Sequence, residues 1–122
     1  MLLSYGYAVN KVSVPLNTSS SANLIADKMS QGVQCKLLLV TAHLDSVNLA
    51  GGIGAVAPGA DDNASGVAGA LEIARILGPR AANHDLRVIL FGGEEQGLRG
   101  STMSPRSLRR SGRGWMLWST WT

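Results

Sequence analysis

Leu37-Leu38-Leu39-Val40-Thr41-Ala42 is a short, continuous apolar run, and its reading decides the fold. Side chains alternate faces along a strand, so an unbroken apolar run of this length predicts a strand buried on both sides. Downstream, Val67, Ala70, Leu71, Ala74 and Leu77 recur at helical spacing until Gly78-Pro79 stops the helix. Leu86 to Phe91 is a second buried strand, closed by Gly92-Gly93. Strand, helix, strand at this spacing is a crossover unit, which brings parallel strands together with a helix on the face of the sheet. Upstream, Val12, Val14 and Leu16 alternate with polar or small residues. Ser21 to Ala26 then follows a Ser/Thr/Asn turn, which predicts a pair of strands. The expected architecture is a three-layer α/β/α domain with a mostly parallel mixed central sheet, antiparallel at one edge and incomplete.

The 122 residues amount to about one domain on the usual scale of ~100–200. A hydrophobic share of 45% against 16% charged excludes disorder and a coiled coil. No apolar run approaches the ~18–20 residues that cross a bilayer. The single cysteine, Cys35, has no internal partner for a disulfide and reads as an ordinary core or edge thiol. Met1 to Gly6 lacks the basic start and long apolar stretch of a signal peptide, so the chain carries no address of its own. The net charge of +3 belongs to the tail. Residues 1–101 balance at −1, whereas 102–122 hold Arg106, Arg109, Arg110 and Arg113 with no acid, and also Trp115, Trp118 and Trp121. A basic tail of this kind says little about nucleic acid, and no nucleic-acid partner is expected.

In open α/β sheets ligands gather beyond the carboxyl ends of the strands. His43-Leu44-Asp45 follows the first buried strand, Ala60-Asp61-Asp62-Asn63-Ala64-Ser65-Gly66 leads into the helix, and Glu94-Glu95 follows the second strand. Singly, each has an ordinary structural reading: a hydrogen-bonded histidine, an Asp62 or Asn63 helix cap, a solvated acidic loop. Together they put several carboxylates and an imidazole at one rim, where the acids repel one another unless a cation neutralises them. Imidazole with carboxylates is a ligand set for zinc in a site with open positions.

Three runs carry a resemblance: Thr41-Ala42-His43-Leu44-Asp45-Ser46, Ala57 to Gly66, and Phe91-Gly92-Gly93-Glu94-Glu95-Gln96-Gly97-Leu98-Arg99-Gly100-Ser101. In this order they closely resemble the dinuclear-zinc exopeptidases, metallopeptidase family twenty-eight, which holds bacterial leucine aminopeptidases and glutamate carboxypeptidases. The resemblance implies that His43 binds one zinc, Asp62 bridges two, Glu95 binds the other, and Glu94 is the general base. It implies that Asp45 sits behind His43 and holds its free ring N–H. The implied reaction is metal-assisted hydrolysis of a terminal bond in a peptide with a free terminus, aminopeptidase-type. Intact relatives lean towards export.

The family pattern has one more protein ligand for each zinc. No acid follows Glu95, and the only other histidine, His84, precedes the Leu86 strand and reads as a loop residue at the wrong end of the sheet. Weak metal affinity and little activity are the expectation for this chain, and the alternative is a non-catalytic fragment or binding module. The tail carries a further expectation. Trp and Met have single codons, so Trp115 to Thr122 is nearly back-translated. Read from the last base of the Gly114 codon, it becomes an apolar segment ending in a forced Asp, similar to the family segment that bears a missing ligand. Residues 1–101 then form the N-terminal part of a catalytic domain, and 102–122 are out of frame. The rival account, a membrane-interface tail of arginines and tryptophans, is weakened by Gly112 and Gly114, and no membrane partner is expected. Gly52-Ile53-Gly54-Ala55-Val56-Ala57 matches a nucleotide-binding loop loosely, but Pro58-Gly59 stands where its helix should continue.

Overall fold

The computed structural model describes residues 1–32, 36–48, 50–51, 55–80 and 83–103, together with the backbone of 115–119. Cys35, the Gly52-Ile53-Gly54 stretch, the four tail arginines and Trp121 lie outside the described residues. Among the described residues five strands form one sheet: β1 (Ala8–Pro15), β2 (Ser20–Lys28), β3 (Leu37–His43), β4 (Asp85–Phe91) and β5 (Trp115–Ser119), in the order β1-β2-β4-β3-β5. Helix α1 (Gly66–Leu77) connects β3 to β4, and the single turn α2 (Arg99–Thr102) follows β4. β3 is parallel to both β4 and β5, whereas β2 runs antiparallel to β1 and β4. The sheet is therefore mixed as expected, with β2 as the one reversed strand.

Alternation along the strands builds two apolar layers. Ala26, Val40, Ala42, Leu86, Val88 and Leu90 share one face with Tyr7 and with Ala70 and Ala74 of α1. Alanine at the facing helix positions lets the α1 backbone come close to the sheet. Ile25, Leu39 and Ile89 form the opposite layer, joined by Phe91. The neighbours Val88 and Ile89 point to opposite faces and are both fully buried, which is the physical meaning of an unalternating apolar strand. On the Ile89 side, Arg87 meets its cross-strand partner Asp27 in a two-pronged ion pair, with Nη2 to Oδ2 at 2.8 Å. Among the described residues, the second helical layer is represented by α2, which packs beside Asn23 on the side away from α1.

β5 departs from the sequence reading, which saw no strand in the tail. Trp115–Ser119 pairs with β3 from Leu37↔Trp115 to Thr41↔Ser119. Aromatic residues favour extended backbone, and β3 offers a row of backbone groups on the side not taken by β4.

Candidate metal centre

The in-register parallel pairing of β3 and β4 decides where the chemistry falls. His43 is opposite Phe91, and the Leu44 N–H bonds the Phe91 carbonyl at 2.7 Å, so the chain leaves both strands side by side. Asp45 then sits beside Gly93-Glu94-Glu95. Its Oδ1 accepts the Glu94 N–H at 3.1 Å and its Oδ2 the Glu95 N–H at 3.0 Å. The turn closes on itself, with the N–H groups of Gly97 and Leu98 both on the Glu94 carbonyl, at 3.0 and 2.8 Å.

The third segment arrives from the start of α1. Asn63 is buried and its Oδ1 accepts the Gly66 N–H at 3.1 Å, a capping contact at the helix start. Asp62 is therefore not spent on the helix, and its Oδ1 lies 3.1 Å from His43 Nε2. The ordinary and the metal-site readings of the Asp62-Asn63 pair thus divide between them: the amide caps, and the carboxylate faces the imidazole. Asp61 contributes its backbone carbonyl, which accepts the Ser65 hydroxyl at 2.7 Å.

His43 is 9% exposed, and its Nδ1 is 3.1 Å from the Asp45 backbone carbonyl. A carbonyl oxygen only accepts, so this contact puts a proton on Nδ1, and the neutral ring then has its lone pair on Nε2. That lone pair faces the Asp62 carboxylate, an arrangement that requires a proton or a cation between the two atoms. One ligand atom each from His43, Glu94 and Glu95 also fall within 4.8 Å of one another. Among the described residues no lysine or arginine pairs with Asp62, Glu94 or Glu95; Arg75 pairs with Glu72 and Arg87 with Asp27. Burial pushes the Glu95 carboxyl above the ordinary carboxylate range, and the charges of Asp62 and Glu94 push it further. This donor set suits a hard or borderline divalent ion, for which imidazole nitrogen and carboxylate oxygen are common ligands.

The sequence placed His43, Asp45, Asp62, Glu94 and Glu95 at one rim, and the structure brings all five together there. The Asp45 contact differs from the one the resemblance implied. Its backbone carbonyl meets the ring, its nearest carboxylate oxygen is 4.0 Å from Nδ1, and the carboxylate holds the glutamate turn. His84 lies at the opposite end of the sheet, where its Nδ1 accepts the Lys36 N–H at 3.3 Å beside the Leu37↔Asp85 pair. Sequence reasoning passed over Asn23, whose signal was a polar residue among Ala22, Leu24, Ile25 and Ala26 in a strand that ends up buried.

Comparison with known proteins identifies the family. The model of Peptidase family M28 matches residues 23–109. Aminopeptidase YwaD of Bacillus subtilis is 38% identical over 98 residues, covering 75% of this chain and 20% of that protein. A zinc aminopeptidase from Bacillus subtilis superposes with a TM-score of 0.64 at 35% identity, over 78% of this chain and 22% of that one. Porphyromonas gingivalis glutaminyl cyclase superposes with a TM-score of 0.71 at 26% identity, over 93% and 46%. The chain belongs to peptidase family M28. It spans about a fifth of the length of the curated aminopeptidase it matches.

Proposed function

We propose that this chain carries part of a two-zinc exopeptidase centre of the aminopeptidase type, acting on peptides with a free terminus. The observation that carries the reading is the His43 Nε2 lone pair aimed at Asp62, beside two glutamates that no basic side chain compensates among the described residues. In this reading His43 would hold one zinc, Glu95 the other, and Asp62 would serve both. When bound, zinc polarises the scissile carbonyl and acidifies water. Glu94 takes the proton of the attacking water and delivers it to the leaving amine nitrogen. Asp45 fixes both the ring tautomer of His43 and the backbone of the glutamate turn. With two protein ligands for each zinc in this set, metal binding is weak and turnover slow. Residues 1–101 are the N-terminal part of the catalytic domain in this proposal, and 102–122 an out-of-frame tail, which translation of the coding DNA in all frames tests.

Hydrolysis of an aminoacyl-nitroanilide by the zinc-loaded chain tests the activity. Turnover is expected to vanish on chelation and to fall by about 10²-fold or more in Glu94→Gln with zinc retained. Turnover indifferent to Glu94→Gln overturns the base assignment. Bound zinc with no turnover favours the second reading, a non-catalytic metal-binding module, which the two-ligand donor sets support.

A further inference from the structure

We infer that Asn23 is a positioning residue of this centre: a buried amide on β2 that fastens the end of β4 to α2 and thereby holds the Glu94-Glu95 turn. The inference rests on reading His43, Asp62, Glu94 and Glu95 as a metal centre. Asn23 is 1% exposed. Its Oδ1 accepts the Gly92 N–H at 3.0 Å, and its Nδ2 donates to the Gly100 carbonyl at 2.9 Å. Gly92 is the first residue after β4 and Gly100 lies in α2, so one side chain clamps both feet of the segment that carries the glutamates. The Arg99 N–H closes the same loop onto the Gly93 carbonyl at 2.9 Å. Asp45 grips the middle of the turn from the opposite side.

The position explains the need for an amide. The β2–β4 ladder ends at Leu24↔Leu90, and one residue further on the Asn23 side chain takes over the N–H of Gly92. The space is closed on both sides by backbone. A Cβ on Gly92 would sit 2.6 Å from the Ala22 carbonyl and collide with Ser21 Oγ, and one on Gly100 would collide with Asn23 Oδ1 and the Gly92 carbonyl. An acceptor and a donor are needed on one short planar group, which aspartate and leucine, though similar in shape, do not supply. An orphaned backbone carbonyl or N–H at such depth is costly, so the clamp is all or nothing.

The test uses the full 122-residue chain and its Asn23→Asp variant, which keeps the acceptor and loses the donor. Amide hydrogen exchange on metal-free protein is expected to show Glu94, Glu95, Gly97 and Leu98 exchanging at least about tenfold faster in the variant, with α1 amides unchanged. Zinc titration against a chromophoric chelator is expected to show affinity weakened by roughly 10- to 100-fold in protein whose α1 stays protected. Unchanged turn exchange, or unchanged zinc affinity in the folded variant, overturns the inference. Wild-type chain that binds no zinc overturns the metal centre instead, while the exchange data still decide whether Asn23 holds the turn. Should the variant fail to fold, wild type alone decides: a Gly92 amide as protected as that of Val88 supports the clamp, and exchange at open-loop rates refutes it.

Discussion

The carboxylate of Asp45 spends its two oxygens on the N–H groups of Glu94 and Glu95, while its own carbonyl takes the ring of His43. Hydrogen bonds to a charged acceptor contribute about 1.5–3 kcal/mol each when formed in a partly buried site. Loss of both bonds in Asp45→Ala is therefore expected to lower the urea midpoint of the metal-free chain by an amount equivalent to about 3 kcal/mol or more. Asp45→Asn should recover less than half of that loss, because its NH2 group faces a donor. Glu95 works in the other direction. Its carboxyl is raised by burial first and by Asp62 and Glu94 next, so it takes up a proton more readily in the folded chain than in the unfolded one. Stability from this group is present below the ordinary glutamate range and is lost as pH rises through the elevated value. Glu95→Gln should raise the urea midpoint at neutral pH in the presence of chelator while weakening zinc binding. The identities of these residues were legible in the sequence because acids beside a histidine are chemically conspicuous. Their contacts were not, since spacing alone does not say whether Asp45 meets the ring with its carbonyl or its carboxylate.

At the level of elements, the β3–α1–β4 crossover was the most legible part of the chain. The apolar runs place β3 and β4 to within a residue or two, and the helical repeat with Gly78-Pro79 beyond it places the end of α1 at Leu77. Tyr7 was not legible, because its partner is 67 residues away: its hydroxyl donates to the Ala74 carbonyl of α1 at 3.0 Å and ties the entry to β1 onto the helix. Burial pushes its phenol up to about 12. The neutral form is favoured by the fold, so stability is full below the unfolded value near 10 and falls as pH climbs towards 12. Chemical denaturation across that window is expected to show the decline in wild type and a flatter profile in Tyr7→Phe, whose lower starting stability reflects the lost hydrogen bond. An equal slope in both would assign the alkaline loss to other groups. β5 escaped the reading for a different reason: its glycine- and arginine-rich approach gives no strand signal, and its pairing depends on an edge of β3 that only the assembled sheet presents.

In the whole molecule, the sheet acts as a ruler that brings residues 43, 62 and 94–95 to one rim although they are far apart in sequence. Strand order does most of this work, since adjacent parallel strands in register send their following loops out together. The rest is done by side chains that hold those loops, Asp45 from the β3 side and Asn23 from the β2 side. Such holding contacts are the least visible from sequence, because their meaning depends on which backbone groups the finished fold leaves unpaired. The most direct test of the central claim is the zinc-edge X-ray absorption spectrum of the chain loaded with one equivalent of zinc. The account predicts a first shell of nitrogen and oxygen at about 2.0–2.2 Å, with an imidazole signature that disappears in His43→Ala. A sulfur shell at about 2.3 Å, or a spectrum unchanged by His43→Ala, would contradict it.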